Sequence, residues 1–171
     1  MKEFSFCEIF DHIRQGRRLK KEDQRPGDLP FVMSGTSNTG VVNYVSNAVA
    51  SFPKNAISID IFGNTFYRNY GFGAGDDTGV YWSEGTAYTK EVMLFFTAAM
   101  QCAVKDRFSY GKKLRSSQSL DFTMRLPAKD GIPDYEYMEN FITAVQKLII
   151  RDVVRYGERR LTVATRAIDQ T

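Results

Sequence analysis

The sequence predicts an α+β fold: a compact head with a mixed or antiparallel β-sheet and one core helix, followed by a long C-terminal helix. Before residue 130, short apolar or alternating segments are separated by turns rich in glycine and asparagine, which is typical of short strands. Residues 90–108 and 135–156 instead carry apolar residues at the helical spacings of three and four. A chain of 171 residues can bury one sizeable core. We therefore expect a head at 1–130, a helix at 131–157 and a tail at 158–171.

The composition narrows the class of protein. Apolar residues make up 43% of the chain, with 13 Phe and 9 Tyr, which excludes a disordered chain. No run approaches the roughly 18 apolar residues that a membrane span needs, so we expect no membrane association. The start of the chain lacks a signal-peptide pattern and there are two cysteines, which favours the cytoplasm. A net charge of +3 leaves the partner open.

The first half of the head is predicted to place a polar loop on a rigid stem. Residues 29–33 and 41–45 are apolar strand segments, and residues 56–61 alternate isoleucine with serine and aspartate. The intervening residues 34–40 offer hydroxyl and amide groups without net charge, which suits the reading of base edges as well as an ordinary hairpin loop. The candidate base-reading residues of this loop are Ser34, Thr36, Ser37, Asn38 and Thr39.

Residues 62–75 are dense in aromatic residues and glycines. This composition suits core packing or a binding platform from which Arg68 projects among the rings, with Asn64 and Thr65 beside it as further candidates for DNA contact. The glycine spacing does not match a dinucleotide fingerprint. Asp76 and Asp77 are interpreted as a solvated turn, because no further metal ligands lie at suitable spacing.

Two clusters of cations are candidates for phosphate contact. The first is a loop between residues 14 and 25, and the second follows the predicted core helix at residues 105–115. A solvated surface explains the first cluster equally well, and charges that complement a helix C-terminus explain the second. The candidate phosphate-binding residues are Arg17, Arg18, Lys20, Lys21, Lys112 and Lys113.

The C-terminal helix is predicted from its start signal and its apolar stripe. Pro133 ends the preceding turn at Asp130-Gly131, and Asp134 is the expected N-cap of a helix that begins at about Tyr135. The stripe either packs on its own head or forms a seam with another helix, and Asp152 interrupts a strict heptad. The predicted interface residues are Met138, Phe141, Ile142, Val145, Leu148, Ile149 and Val153.

Residues for catalysis are scarce. His12 is the single histidine, and neither Cys7 nor Cys102 lies in a C-x-x-C motif. We therefore predict no catalytic residue, no metal site and no cofactor.

The order of motifs resembles the target recognition domain and spacer helix of specificity (S) subunits of type I restriction-modification systems. A Leu-Pro pair, a turn with Asp-Gly, a Pro-Asp pair and then Tyr-Met-Glu-Asn-Phe-Ile open the long helix, as at the junction in that family. The segments that carry the resemblance are residues 4–10, 16–18, 29–32, 37–41, 57–64, 105–112 and 126–142.

This resemblance implies a sequence-specific double-stranded DNA-binding subunit or half-subunit that positions methyltransferase (M) and restriction (R) subunits on their target. It also implies a homodimer, or pairing of the long helix with a second S-like helix. Two alternatives unrelated to DNA stay open at this point: a small β-rich module that binds carbohydrate or peptide through residues 62–75, and a small hydrolase domain, against which the scarcity of histidine argues.

Overall fold

The structure is a computed structural model that describes the backbone of residues 1–168 and the side chains of residues 1–161. Within these residues the chain forms twelve short strands and three α-helices. The strands are β1 (Lys2–Ser5), β2 (His12–Gln15), β3 (Pro26–Val32), β4 (Val41–Val45), β5 (Ser51–Phe52), β6 (Ala56–Asp60), β7 (Thr65–Arg68), β8 (Phe72–Ala74), β9 (Thr78–Trp82), β10 (Thr123–Leu126), β11 (Ala128–Lys129) and β12 (Ile132–Pro133). The helices are α1 (Phe6–Ile9), α2 (Lys90–Val104) and α3 (Tyr135–Ile168).

Two four-stranded sheets form the head. The first has the strand order β2-β9-β6-β7 and is antiparallel throughout. The second has the order β4-β3-β8-β5, in which β3 and β8 run parallel while the other pairs are antiparallel. A ribbon of β1 and β10 and a hairpin of β11 and β12 complete the strand pairing. The predicted α+β fold with mixed and antiparallel sheets is therefore confirmed.

Strand β6 separates two apolar clusters because its side chains alternate between faces. Ile57 and Ile59 pack with Phe96 of α2 and with Phe6 of α1. Ala56, on the opposite face, packs with Val32 and Phe72 of the second sheet. Burial of each such Phe or Ile side chain stabilises the folded state by about 1.5–3 kcal/mol. By the same alternation, Ser58 and Asp60 lie on the face that points towards the second sheet.

Helix α2 begins as predicted but ends earlier than residue 108. Its N-cap is Thr89, whose hydroxyl accepts a hydrogen bond from the Val92 amide at 3.3 Å. It ends at Val104 because Asp106 adopts a left-handed conformation with a φ of 57°, and the Arg107 amide closes a turn onto the Val104 carbonyl at 3.2 Å.

The predicted start of the C-terminal helix is confirmed. Asp130 and Gly131 both have positive φ and form the turn between β11 and β12, as two-residue hairpins require. Asp134 then caps the helix, since its carboxylate accepts a hydrogen bond from the Tyr137 amide at 3.0 Å. Helix α3 starts at Tyr135.

The predicted end of this helix at Gly157 is wrong, because α3 continues to Ile168. A glycine inside a helix costs about 1 kcal/mol relative to alanine but ends it only where it adopts a positive φ, and Gly157 does not. Most of the predicted tail at 158–171 is therefore helical, and residues 169–171 lie outside the described residues. No helix in the described part of the chain is long and apolar enough to cross a membrane.

The two explanations offered for the apolar stripe apply to different parts of α3. Its first turns pack on the head: Met138 is fully buried, and the Phe141 ring lies 5.9 Å from that of Phe95 on α2. Met138 was predicted to contact a partner helix. It is not available for that contact, because the head of the same chain covers it. Further along, Leu148, Ile149 and Val153 are 49%, 59% and 65% exposed, so the distal stripe is uncovered.

Candidate nucleic-acid interface

The Asp60 carboxylate, at the end of β6, is the anchor of the candidate interface. It is buried and accepts five hydrogen bonds, from the Ser34 hydroxyl, the amides of Gly35, Phe62 and Asn64, and the Asn64 side chain, at 2.8–3.0 Å. These donors belong to two surface segments, the loop after β3 and the turn after β6. One carboxylate therefore ties both segments to β6, an inner strand of the first sheet.

Asp77 fixes the same loop from a second side. Its carboxylate accepts a hydrogen bond from the Ser34 amide at 2.9 Å, and its carbonyl accepts one from the Ile61 amide at 2.9 Å. The prediction of a solvated turn at Asp76-Asp77 therefore needs correction for Asp77, which is half-buried and bonded to the loop. The first residues of the loop are held by two carboxylates.

The outer part of this loop, residues 36–39, is exposed. Asn38 and Thr39 both adopt left-handed backbone conformations, with φ values of 47° and 53°. This conformation costs about 1–2 kcal/mol per non-glycine residue, and a β-branched threonine adopts it least readily. Within the described residues, the Thr36 and Ser37 side chains make no hydrogen bond, and the Asn38 amide donates a long one of 3.4 Å to the Val41 carbonyl. The loop thus presents free polar groups on a fixed backbone.

Arg68 supports the other end of the loop. It is only 1% exposed, and its Nη1 donates to the Thr39 hydroxyl at 3.1 Å while its Nη2 donates to the Thr39 carbonyl. On the inner side, Nε donates to the Ser58 hydroxyl at 3.0 Å and Nη1 to the Tyr70 hydroxyl at 3.1 Å. Arg68 does lie among aromatic rings as predicted, but between the two sheets, where it cannot project to a ligand.

The electrostatic state of Arg68 follows from this burial. Burial lowers the pKa of its guanidinium from the usual value, and the Tyr70 hydroxyl acts in the opposite direction. Arginine nevertheless stays charged in proteins. Among the described side chains, no carboxylate lies within ion-pair distance of Arg68. In the described part of the chain, its charge is stabilised by hydroxyl and carbonyl oxygens and by the faces of Phe66 and Phe72, at 5.3 and 5.7 Å.

Three further predicted DNA contacts are also part of the support. Ser34 and Asn64 donate their side-chain hydrogens to Asp60. Thr65 is 7% exposed and donates to the Gly63 carbonyl at 3.1 Å. These three side chains hold the loop and the turn in place, and the exposed polar groups lie at residues 36–39.

The second cationic cluster is joined to this anchor. Residues 109–112 form a tight turn closed by reciprocal backbone hydrogen bonds between Ser109 and Lys112, with Tyr110 84% exposed at its tip. Lys112 and Lys113 are exposed. The following residue, Leu114, donates its amide to the Ile61 carbonyl at 2.9 Å, one residue from Asp60. The structure therefore brings Lys112 and Lys113 to the turn after β6, which Asp60 ties to the polar loop.

The first cationic cluster divides into two parts. Arg17 and Arg18 are exposed, and the Arg17 amide donates to the Ala74 carbonyl at 2.9 Å, which places both at the end of β8 next to Asp76 and Asp77. The Arg115 guanidinium also reaches this point, because it donates to the Asp76 carbonyl. Lys20 and Lys21 are exposed further along, where the chain runs beside β4.

Sequence reasoning missed Asp60 and Asp77 as organising residues. A signal for Asp60 was present: an aspartate at the end of an alternating strand, followed by Gly63 and Asn64, is typical of a turn closed by its own side chain. No comparable signal exists for the hydrogen bond from Arg68 to Thr39, because the two residues are 29 positions apart in the chain.

Comparison with known proteins agrees with this architecture. A family model described as the type I restriction modification DNA specificity domain matches residues 1–150. Among curated proteins, the chain is 31% identical over 152 residues to the Type II restriction enzyme BgcI specificity subunit S.BcgI of Heyndrickxia coagulans. The match covers 86% of this chain and 44% of that protein.

Solved structures show the same fold at low sequence identity. The S subunit of a type I restriction-modification system from M. genitalium aligns with a TM-score of 0.62 and 18% identity, over 92% of this chain and 41% of that one. The HsdS subunit from Thermoanaerobacter tengcongensis aligns with a TM-score of 0.60 and 10% identity, over 88% of this chain and 38% of that one. The chain spans less than half the length of these relatives. Because the family model matches most of its residues, the chain belongs to the type I restriction modification DNA specificity domain family.

Proposed function

We propose that this chain recognises a specific double-stranded DNA sequence as the specificity subunit, or half-subunit, of a restriction-modification system. The observation that carries the proposal is the family match over residues 1–150, whose description names DNA specificity. The relatives reported above are specificity subunits by name, which favours DNA recognition over a β-rich module or hydrolase unrelated to DNA. In this proposal the chain supplies recognition and the catalytic groups come from other subunits.

Phosphate contact is assigned to the exposed cations. Arg17 and Arg18 adjoin the end of β8, and Lys112 and Lys113 adjoin the turn after β6 that Asp60 ties to the polar loop. Lys20 and Lys21 extend this positive surface beside β4. The Lys20 ammonium lies 4.0 Å from the Glu22 carboxylate, and both groups are exposed to solvent. Exchanging this ion pair for a contact with phosphate therefore costs little free energy. Such contacts fix the position of a protein on a duplex without reading its sequence.

Base reading is assigned to the exposed part of the polar loop. Thr36, Ser37 and Asn38 offer hydroxyl and amide groups that both donate and accept, which is the chemistry that distinguishes base edges in the major groove. The Thr39 hydroxyl accepts from Arg68 and keeps its own hydrogen to donate. Ser34, Asn64, Thr65 and Arg68, which the sequence also predicted as contacts, are assigned a supporting role because their polar atoms are bonded within the head.

The long helix is assigned to assembly. Its distal stripe leaves Leu148, Ile149 and Val153 about half or more exposed, and a second copy of α3 or an S-like helix would cover it. Residues 1–130 then act as the recognition domain and α3 from Tyr135 as the spacer, with M and R subunits as further partners in the cytoplasm.

Selection from a pool of duplexes with a randomised central segment tests the proposal. The chain, alone and together with a methyltransferase subunit of the same restriction-modification system, is expected to enrich one sequence over successive rounds. Enrichment without any consensus, or retention of no duplex under either condition at low salt, would contradict the proposal.

A further inference from the structure

The exposed loop at residues 36–39 adopts a conformation that its own sequence does not favour. Asn38 and Thr39 are left-handed in succession, and Thr39 is β-branched, with its Cβ crowding the backbone in that region. Such a conformation persists only where the surroundings impose it. A buried side chain that bonds to Thr39 itself is the most direct way to impose it.

Arg68 is bonded to Thr39 in the way that this role requires. Its guanidinium donates to both the hydroxyl and the carbonyl of Thr39, so one planar group fixes the side chain and the backbone of the strained residue together. The guanidinium is in turn held by Ser58 and Tyr70 and lies between two aromatic rings. The two sheets therefore fix the position of the guanidinium, and the guanidinium fixes the conformation of Thr39.

If Arg68 only filled space between the sheets, an apolar side chain could do so without the burial of a charge. A buried cation with no carboxylate partner among the described side chains loses its hydration without gaining an ion pair, so its hydrogen bonds must replace that hydration. A planar fork that bonds two oxygens of one residue at a fixed angle is something that lysine or an apolar side chain cannot provide.

We propose that Arg68 is a positioning residue for DNA recognition: it holds Thr39 in the left-handed conformation and so fixes the direction in which Thr36, Ser37 and Asn38 present their polar groups. The role in recognition rests on the proposed function, whereas the role in holding the loop can be tested without DNA. Arg68 acts through Thr39 and does not itself touch a base.

Amide hydrogen exchange in the free protein tests the first part. The Thr39 amide donates to the Thr36 carbonyl and the Met33 amide to the Gly40 carbonyl, so both report on the end of the loop that Arg68 holds. We expect Arg68→Lys and Arg68→Met to raise exchange at these two amides by about tenfold or more. The amides of Ser34 and Gly35, which Asp77 and Asp60 hold, serve as internal controls and should change little.

The affinity ratio tests the second part. With a duplex enriched from the randomised pool and a scrambled duplex as probes, Arg68→Lys should lower the ratio of the two affinities by about tenfold or more, while affinity for the scrambled duplex stays within about twofold. Arg125→Lys, an exposed arginine on β10, is the matched control and should leave both readouts unchanged.

The exchange and affinity results for Arg68→Lys distinguish the paired hydrogen bonds of the guanidinium from its positive charge. Arg68→Lys keeps the charge, so wild-type exchange and a wild-type ratio in this variant would overturn the proposal. If Arg68→Met does not fold, Tyr70→Phe removes one of the hydroxyl groups that hold the guanidinium and leaves Thr39 unchanged, so it should still raise exchange at the Thr39 amide in the free protein. Should the wild type bind no duplex at all, the proposed function fails, while the exchange data still decide whether Arg68 holds the loop.

Discussion

Asp60 shows at the scale of a single residue how the interface is held. Its buried carboxylate is tolerated because five donors replace its water. Asp60→Asn would keep the shape but turn an NH₂ group towards some of these donors. We expect the free energy of unfolding to fall by about 2–3 kcal/mol, because hydrogen bonds to a charged acceptor are removed and buried donors stay unpaired.

Urea denaturation measures this change. Asp28→Asn, the same substitution at an exposed site on β3, should change the free energy of unfolding by less than about 0.5 kcal/mol. A midpoint for Asp60→Asn equal to that of the wild type would mean that Asp60 does not hold the two segments.

Tyr81 gives a prediction for alkaline pH. Burial raises the pKa of its hydroxyl to about 12, although the hydrogen bond with Ser119 acts in the opposite direction. In the unfolded chain the group ionises near a pKa of about 10. The unfolded state therefore loses its proton first, so the stability that Tyr81 contributes is fully present below about pH 10 and falls between about pH 10 and 12.

Tyr81→Phe removes this dependence. We expect the variant to be about 1 kcal/mol less stable than the wild type at pH 8, because it cannot form the hydrogen bond to Ser119. Above about pH 10 the difference should shrink and then change sign. Unfolding in urea at a series of pH values checks it. Tyr44→Phe, at an exposed tyrosine, should show a constant difference; a constant difference for Tyr81→Phe as well would contradict the assignment.

At the scale of elements, α3 combines a docked start with an uncovered apolar stripe. Ile149→Glu plus Val153→Glu places two charges on the exposed stripe without touching the head. We expect a folded protein whose sedimentation coefficient corresponds to a smaller assembly than that of the wild type, because the two carboxylates would have to be desolvated in a helix pair.

A matched pair of substitutions controls for charge. Asn140 and Lys147 are exposed and, at about 100° per residue, lie on the side of the helix opposite Val145 and the stripe. Asn140→Glu plus Lys147→Gln makes the same change in net charge and should leave the assembly unchanged. A wild type that sediments as a monomer at high concentration, with and without its partner subunits, would exclude the assembly role.

Elements whose signals are local were predictable from the sequence. Asp134 caps α3 and Asp130-Gly131 forms its turn because each acts on residues a few positions away. The end of α3 was not predictable in the same way: Gly157 can end or continue a helix, and the backbone conformation that decides this depends on residues beyond it. The predicted end of α2 was wrong for a related reason, because Asp106 adopts a left-handed backbone conformation.

The candidate site was predicted less completely, because its geometry depends on contacts between distant segments. Exposed cations and the polar loop follow from residue type alone. The burial of Arg68 does not, since it is set by the packing of β7 against the second sheet and by Thr39 on a separate loop. A residue type that suits DNA contact, arginine among aromatic rings, also suits the support of a loop, and the fold decides between them.

For the whole molecule, the exposed cations should act alike on all DNA sequences. Lys20→Ala plus Lys21→Ala is expected to weaken binding to every duplex and to lower the slope of log affinity against log salt by about one unit for each phosphate that the variant no longer neutralises. Lys129→Ala plus Lys147→Ala, which removes the same charge from the β11–β12 hairpin and from α3, is the control. An unchanged salt slope in Lys20→Ala plus Lys21→Ala would show that these two lysines do not contact phosphate.

The central claim is that this chain discriminates between DNA sequences, and the ratio of its affinities for an enriched and a scrambled duplex tests it most directly. Measured by titration over a range of salt concentrations in the presence of the methyltransferase, both affinities should fall steeply with salt. The enriched duplex should stay favoured by about 10³-fold or more. Ser37→Ala and Asn38→Ala should reduce that ratio with little effect on the scrambled duplex. Equal affinity for the two duplexes at every salt concentration would contradict the claim.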